Sequence, residues 1–534
     1  MKTIKQLNIF LVIPAILVSF SSCEEMLDVN NPNSITTNDF WKSPKDANYA
    51  VNAIYATLNG QPADLRISDL LNRTDEMVSY YGWADAANFY NNKVPLGVGY
   101  DNLYNSWPFN ETYASIYQIN QAIAKIPAID MDQTLKDRYI AEVKFIRAYH
   151  YINLVTLWGN IPYADAILGN QSAGYPSRSI PELWELIEAD LTFAKDNLPV
   201  EYSDAIDKSR ITKGAAKSLL AKAFMQQHKW SNAKDELSDV ITSAKYSLIA
   251  NYHDNFTHYN EFNSESIFEI PWMEGASPSG SGEHTSVQAQ VYSPVGGHNE
   301  YEATPKMIDE FNLSAKYYNN NNADSRRDIT FIWNGMNPSI QVYGTNFAGL
   351  ESHSSFFLWA GDGISNHAWI RKNLNDYWNT GENGWSGINR RKIRYADVLL
   401  MYAECLINTG AASQAYQYIN IVRKRAGVQD LTPTNLLADI AKPELTMHGY
   451  TIPTDEQGKM QIQIEYERIW ELTGEQTRFF DLVRWGYFES TAKLNILSFT
   501  DRSFKTFTIG RDNVLPIPSV ELDNNPGVTQ NPGY

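Results

Sequence analysis

Three carboxylates near the C-terminus, Glu467, Glu471 and Glu475, recur every four residues and could support acid–base chemistry. That spacing predicts one helical face, and a pair of carboxylates is what glycoside hydrolysis requires. The same stretch also carries charged residues that would pair with them: Arg468, Arg478, Arg484 and Asp481. Because arginine keeps a neighbouring carboxylate ionised, the pattern favours a structural ion network. A glycoside hydrolase is the less favoured alternative.

Other signatures of catalysis or metal binding do not occur in the sequence. There is no HExxH, GxSxG, P-loop or CxxC motif. The acids of IDMDQT (129–134) alternate, but the glycine and closing glutamate of a calcium loop are missing. We therefore expect no enzymatic activity, no metal and no cofactor.

A second group of residues, the aromatic ones, is suited to binding rather than to catalysis. The chain has 32 tyrosines and 14 tryptophans, whose ring faces pack on flat apolar surfaces while their polar atoms reach water. Many lie in the early stretch 79–92 and in residues 251–390, where helical periodicity fails and Gly, Ser, Asn and Asp recur. Core packing is the alternative for any single ring, and Trp107 is assigned to packing. Irregular segments on a rigid support commonly carry function.

The elements that must position these segments are amphipathic helices. Residues 211–227 and 231–244 repeat apolar side chains at helical spacing, and so do residues 398–408 and 411–426. Each pair is joined by a short turn, which predicts an antiparallel hairpin that must stack on others to bury its apolar face. The segment AEVKFIRAYHYINLVTLWG (141–159) is apolar on most sides and should be central. We predict an all-α, tetratricopeptide-like scaffold of helical hairpins with a long loop-rich, aromatic-rich variable region. The proline-rich end should form an extended, non-helical tail over the body.

The N-terminus has the pattern of an export signal. Lys2 and Lys5 precede an apolar run over residues 7–20, which is too short to span a bilayer. Two serines and Cys23 follow, and this ending resembles the lipobox of bacterial lipoproteins, with phenylalanine at 20 where leucine is usual. The alternative is an ordinary secretory signal. The only other cysteine, Cys405, falls on the apolar stripe of a predicted helix and should be buried.

The formal net charge of −17 argues against two kinds of partner, nucleic acid and anionic lipid surfaces. Nucleic acid needs a basic surface to neutralise its phosphates, and anionic lipid repels an acidic protein. Membrane attachment would therefore depend on lipid carried by Cys23.

Several long stretches together resemble the SusD/RagB family of outer-membrane nutrient-binding lipoproteins. They include SSCEEMLDVNNP, AEVKFIRAYHYINLVTLWGNIPY, RITKGAAKSLLAKAFM, IRYADVLLMYAECLIN, YERIWELTGEQTRFFDLVRWG and LPIPSVELDNNPGVTQNPGY. The resemblance extends from Cys23 to the last residue and is weak only over 250–390. It implies a tetratricopeptide-like fold, a lipid anchor in the outer membrane and exposure at the cell surface.

The resemblance also implies a function and a partner. Members look like the lid of a SusC-like TonB-dependent transporter that imports glycan fragments, and some handle peptides or other nutrients. We therefore expect capture of an oligosaccharide or polysaccharide. A peptide or other nutrient, an interaction scaffold without a small ligand, and a glycoside hydrolase stay as alternatives.

A sugar site would pair aromatic rings with amides. The rings contact the C–H faces of a pyranose, and the amides bind its hydroxyl rim. We predict ligand contacts from Tyr81, Trp83, Asn88, Tyr90, Trp272, Trp333, Tyr343, Trp359, Trp378 and Asn379.

The sequence divides into five parts. They are a signal peptide (1–22), a lipidated N-terminus and tether (23–43), an N-terminal helical region (44–250), a variable ligand-binding region (251–390), and a C-terminal helical region with its tail (391–534).

Overall fold

Amphipathic helices make up most of the described chain. The computed structural model describes residues 40–58, 73–78, 105–165, 167, 174–272, 302–348, 368–377, 387–497 and 507–534. The N-terminal helices are Pro44–Leu58 (α1), Ser106–Lys125 (α2), Gln133–Trp158 (α3), Ile180–Asn197 (α4), Lys213–Gln226 (α5) and Trp230–Thr242 (α6). The middle of the chain contains Pro305–Tyr318 (α7) and Arg327–Thr330 (α8). The C-terminal helices are Tyr395–Asn408 (α9), Ala412–Ala426 (α10), Leu437–Ile440 (α11), Lys442–Met447 (α12), Glu456–Leu472 (α13), Arg478–Arg484 (α14), Thr491–Leu497 (α15) and Ser519–Asn524 (α16).

Helices α5 and α6 form the first predicted hairpin. The Thr212 hydroxyl accepts a hydrogen bond from the Ala215 amide, which begins α5 at the expected place. The apolar stripe of α5, including Leu219 and Leu220, is buried, as is Leu237 of α6. The two helices pack on each other, and α6 also packs on α9. The mostly helical fold class predicted from the sequence is confirmed.

Helix α3 is the central element of the N-terminal half. It has 26 residues, and its buried positions occur on all sides of its second half. Asp132 caps its start by accepting from the Leu135 amide, and Gly159 ends it at a φ of 71°. Since α1, α2 and α4 all pack on it, the predicted central position is confirmed.

Helices α9 and α10 form the second predicted hairpin. Gly427 ends α10 in the left-handed conformation, at a φ of 72°, which is the usual role of glycine there. Cys405 is fully buried within α9, and burial raises the pKa of its thiol. The side chain is a small apolar group of the core, as the sequence predicts.

Two small antiparallel sheets supplement the helices. The strands are Met77–Val78 (β1), Ser266–Ile270 (β2), Glu302–Ala303 (β3), Phe331–Trp333 (β4), Ala368–Ile370 (β5) and Arg390–Arg394 (β6). The larger sheet has the order β1-β3-β5-β4, and β2 pairs with β6 in a separate ribbon whose register shifts near Phe268. Short 3₁₀ turns connect other elements, among them Tyr252–Phe256 and His258–Asn260.

Two sequence expectations about helix are wrong. Helix α7 lies inside residues 251–390, where we expected no helical periodicity. The Thr304 hydroxyl caps this helix, Pro305 occupies its first turn, and Met307 and Phe311 are buried on one face. The tail also contains a short helix, α16, because the prolines that flank Ser519–Asn524 leave six residues free to turn.

The tail nevertheless packs on the body as predicted. The Leu515 amide donates to the Leu157 carbonyl at the end of α3. The side-chain amide of buried Asn531 donates to the carbonyls of both Trp158 and Leu515, at 2.7 Å each. Within the described ranges, no helix has the length and apolar character needed to cross a membrane.

Replacing Asn531 with alanine should release the tail from α3. Two buried carbonyls would lose their donor, which costs about 1–3 kcal/mol in free energy of unfolding. Thermal unfolding followed by circular dichroism would report this loss as a lower Tm. Asn524→Ala is the matched control because Asn524 is exposed in the same tail. Equal Tm values for the two variants would contradict the assigned role of Asn531.

Candidate ligand-binding site

The carboxylate of Glu471, near the end of α13, is the centre of a buried ion network. Its oxygens accept from Arg394 at 2.6 Å, from Arg326 at 3.2 Å and from Arg425. The Glu471 side chain is 0% exposed. Arg326 and Arg394 come from the predicted variable region and from the strand that follows it, so the network joins that region to the scaffold.

Electrostatics keep this carboxylate ionised. Burial alone would raise the pKa of Glu471, but the guanidiniums of Arg425, Arg394 and Arg326 lower it to about 2. Burial alone would lower the pKa of Arg394, but the carboxylates of Glu475, Glu471 and Glu265 raise it. A carboxylate held in this way has neither the proton of a general acid nor a free lone pair for a general base.

The network extends to the segment after β5. Glu475 accepts from Arg394 at 2.6 Å and from Lys372 at 2.7 Å. Lys372 also donates to the Glu471 carbonyl at 3.1 Å. Helix α13 ends at Leu472, so Glu475 lies beyond the helical face on which the sequence placed it.

The predicted ion network is confirmed, but most of its pairs are different. Arg468 and Arg484 both pair with Asp481, as the interleaved sequence suggested. Glu467 instead pairs with Arg423 of α10. The partners of the three glutamates are distant in sequence, which local spacing could not reveal.

A second buried pairing fixes the short segment before β1. Asp75 receives two hydrogen bonds of 2.9 Å from Arg478 and one of 2.7 Å from Lys306. Burial acts to raise the pKa of Asp75, but these two cations lower it. The neighbouring Glu76 accepts from the Gly474 amide at 3.3 Å, and burial raises its pKa to about 7. Strand β1 is therefore tied to α7 and α14.

The contact between the turn after α13 and the larger sheet needs a glycine. Gly474 has a φ of 83°, and a Cβ atom there would lie 2.9 Å from the side chain of Ile370 in β5. Because both the backbone conformation and the space exclude a side chain, Gly474 lets the turn after α13 approach the larger sheet.

The larger sheet brings together the ends of three segments. We predicted ligand contacts in two of them, 79–104 and 349–367, and the third is 273–301. Val78, the last residue of β1, pairs with Glu302, the first of β3. The chain therefore leaves toward 79–104 and returns from 273–301 at adjacent positions. Ala368, which follows 349–367, pairs with Ala303 and with Trp333.

The β2–β6 ribbon does the same for another pair of segments. Ile270 at the end of β2 pairs with Arg390 at the start of β6. Two residues later, the Trp272 amide donates to the Asn389 side chain at 2.8 Å. The chain thus leaves toward 273–301 beside the point where it returns from 378–386.

Trp272 is the predicted contact nearest to these ends, and it is 8% exposed. The Arg390 guanidinium lies over its ring at 5.4 Å from the centroid. Its indole nitrogen is buried and has no hydrogen-bond partner among the described residues. The side chain is well fixed, and little of its ring is accessible.

Trp333 and Tyr343 lie together in a small apolar cluster beside the larger sheet. The Trp333 indole donates to Asp328 at 3.0 Å, and Arg327 lies 4.4 Å from its ring centroid, so this half-buried ring is held on two sides. Tyr343 is 4% exposed. The structure therefore brings these two predicted contacts together but buries most of Tyr343.

The remaining predicted residues lie outside the described ranges. They are Cys23, Tyr81, Trp83, Asn88, Tyr90, Trp359, Trp378 and Asn379.

The sequence analysis missed an exposed aromatic group next to these segments. Tyr259 is 70% exposed, and its ring lies 4.0 Å from His258 and 5.3 Å from Tyr377, measured between centroids. The backbone around it is fixed, because the His258 amide donates to the Tyr377 hydroxyl at 2.7 Å and Arg391 donates to the Asn260 carbonyl at 2.8 Å. Tyr377 directly precedes Trp378. The clue in the sequence was the stretch HDNFTHYNEF.

No cluster of His, Cys, Asp or Glu able to hold a metal occurs within the described ranges. The helical scaffold holds the ends of irregular segments, and such segments on a rigid support commonly carry binding residues.

Comparison with known proteins identifies the family. The model described as "SusD family" matches residues 264–534, and "Starch-binding associating with outer membrane" matches residues 25–225. The chain belongs to the SusD family.

Relatives and solved structures agree with this assignment. SusD-like protein P25 of Formosa agariphila is 28% identical and is covered over 95% of its length by 96% of this chain. A SusD superfamily protein from Bacteroides vulgatus shares 24% identity with a TM-score of 0.72, over 93% of this chain and 100% of that one. A laminarin-binding SusD-like protein shares 26% identity with a TM-score of 0.71, over 92% of this chain and 100% of that one.

Replacing Glu471 with glutamine should destabilise the protein strongly. Three buried guanidiniums would lose their shared counter-charge, which costs about 3–5 kcal/mol. The folded pKa of about 2 lies below the ordinary value of 4.5, so this stabilisation is complete above about pH 5 and is lost as the pH falls. Differential scanning calorimetry should therefore show a Tm deficit at pH 7 that narrows from pH 5 to pH 3. Glu185→Gln, at an exposed position of α4, is the control. A deficit independent of pH would contradict the electrostatic role.

Proposed function

We propose that this protein captures an oligosaccharide or polysaccharide at the cell surface and delivers it to a SusC-like TonB-dependent transporter. One observation carries the proposal. The larger sheet places ends of the segments 79–104, 273–301 and 349–367 at neighbouring positions, and the β2–β6 ribbon does the same for 273–301 and 378–386. Aromatic side chains from segments whose ends lie side by side can contact the same ligand.

The chemistry of the segments suits a sugar. Tryptophan and tyrosine rings contact the C–H faces of a pyranose, and the amides of Asn88 and Asn379 would bind its hydroxyls. The exposed ring of Tyr259 would extend this surface, since it contacts Tyr377, the residue before Trp378. The laminarin-binding relative supports a glycan over a peptide as the ligand.

The proposed location depends on the N-terminus. Cys23, at the end of the export signal, would carry lipid and hold the protein in the outer membrane, facing the exterior. The family description that names association with the outer membrane supports this location. We propose residues 251–390 as the ligand-binding region, together with the stretch 79–92. The helical regions 44–250 and 391–534 would hold it and offer a surface to the transporter.

The function can be tested with the soluble chain from Glu24 onward. Native gels that contain laminarin, pullulan, xyloglucan or yeast mannan would detect binding as retarded migration, and the same mixtures would be assayed for new reducing ends. Retardation without sugar release supports the proposal. Sugar release would establish a glycoside hydrolase, and migration unaffected by any glycan would favour a peptide or other nutrient.

Alanine at Tyr259, Trp83 or Trp359 should each weaken binding. Loss of one stacked ring should lower affinity about three- to tenfold. Affinity electrophoresis over a range of glycan concentrations gives the dissociation constants. Tyr117→Ala, which removes a ring that is 54% exposed on helix α2, controls for the general loss of an exposed aromatic. Unchanged affinity in all three variants would refute the proposed surface.

A further inference from the structure

A polar groove lies at the opposite end of α13 from the ion network. It has a volume of about 410 Å³ and is lined by His228, Trp230, Asn408, Gln457, Gln461 and Trp485, among others. This volume is within the range of about 300–1,000 Å³ typical of small-molecule sites. The groove residues on this helix extend from Gln457 to Glu465, fourteen to six residues before Glu471, so the groove lies about 9–21 Å from the network along the helix axis.

One wall of the groove is aromatic and rigid. The rings of His228 and Trp230 stack with 5.4 Å between centroids and 9° between planes. His228 is held at a φ of 57°, and its Nε2 atom lies 2.7 Å from the Arg484 carbonyl. Because both rings are fixed before any ligand arrives, little conformational entropy would be lost on binding.

The other wall carries amides. Gln461 donates to Glu465 at 3.2 Å and accepts from Asn408 at 3.4 Å, which orients both amide groups. Gln457 lies one turn earlier on α13, and its exposed side chain makes no hydrogen bond within the described part of the chain. A donor and an acceptor are therefore available in the same groove as the rings.

The charges of the groove balance and are largely engaged. Lys493 donates to the Trp485 carbonyl, and Arg484 pairs with Glu404 at 2.6 Å. Asp455 accepts from the Gly458 amide at 2.8 Å. With two acids, Asp455 and Glu465, facing two bases, Arg484 and Lys493, the groove has no net preference for an ion. A neutral, hydroxyl-rich ligand is the class that fits.

We propose that the groove is a second carbohydrate subsite, separate from the aromatic segments of the variable region. A sugar unit would lie against Trp230 and hydrogen-bond to Gln457 and Gln461. This inference rests on the proposed glycan-binding function, because it assumes the same class of ligand. It adds a site on the helical scaffold, where no ligand contact was expected.

The test uses the soluble chain labelled with 5-fluorotryptophan, and Trp230→Phe assigns the ¹⁹F resonance of Trp230. Each polysaccharide used in the gels would be titrated into the labelled protein. We expect the Trp230 resonance to shift, and Trp230→Ala and Gln457→Ala to weaken this binding about three- to tenfold. Gln457→Ala removes an exposed side chain, so its effect does not depend on folding. Tyr117→Ala is the control.

The outcomes separate the two proposals. A Trp230 resonance that no polysaccharide moves overturns the groove subsite, whatever the gels show. Glycan binding equal to that of the parent in both groove variants overturns it as well. A shifted Trp230 resonance that survives alanine at Tyr259, Trp83 and Trp359 supports the groove, even if the segments of the variable region bind nothing.

Discussion

The rest of the structure depends on one set of ion pairs, which joins the buried carboxylate of Glu471 to Arg326, Arg394 and Arg425. Taking such charges out of water costs several kcal/mol for each ion. The cost is offset only when every partner is in place, because a missing one leaves a buried charge unpaired. Four separate parts of the chain supply these residues. None of these parts can therefore adopt its final position alone.

This dependence explains how a mainly helical protein supports irregular segments. The helices bury their own apolar faces by pairing, as α5 does with α6 and α9 with α10. The short strands cannot do so, since two or three residues of ladder are marginal in water. Ion pairs of Asp75 with Arg478 and of Arg394 with Glu471, and a close contact at Gly474, attach them to α13 and α14. Fixed strand positions thus reach Val78, Ile270 and Glu302, which border the segments 79–104 and 273–301.

The helical scaffold was predictable from sequence because its cause is local. Apolar spacing, Thr212 before α5 and Gly427 after α10 lie within a few residues of the elements that they define. The sequence predicted that an ion network exists but not which residues pair, because Glu471 contacts arginines more than forty residues away. Helix α7 was missed among surrounding loop residues, although its cap and apolar face were present. The burial of Trp272 and Tyr343, and the exposure of Tyr259, depend on tertiary packing that residue type does not encode.

The residues of the ion network differ from the proposed ligand contacts, and this separation has an evolutionary consequence. The segment 273–301 begins beside β6 and ends beside β1, and strand pairing holds the residues at both of its ends. Its length and composition can diverge between descendants while the anchors stay fixed. Relatives that share about a quarter of their residues could then specialise on different nutrients. For protein engineering, the paired strands at its two ends mark boundaries at which the segment 273–301 could be exchanged for that of a relative.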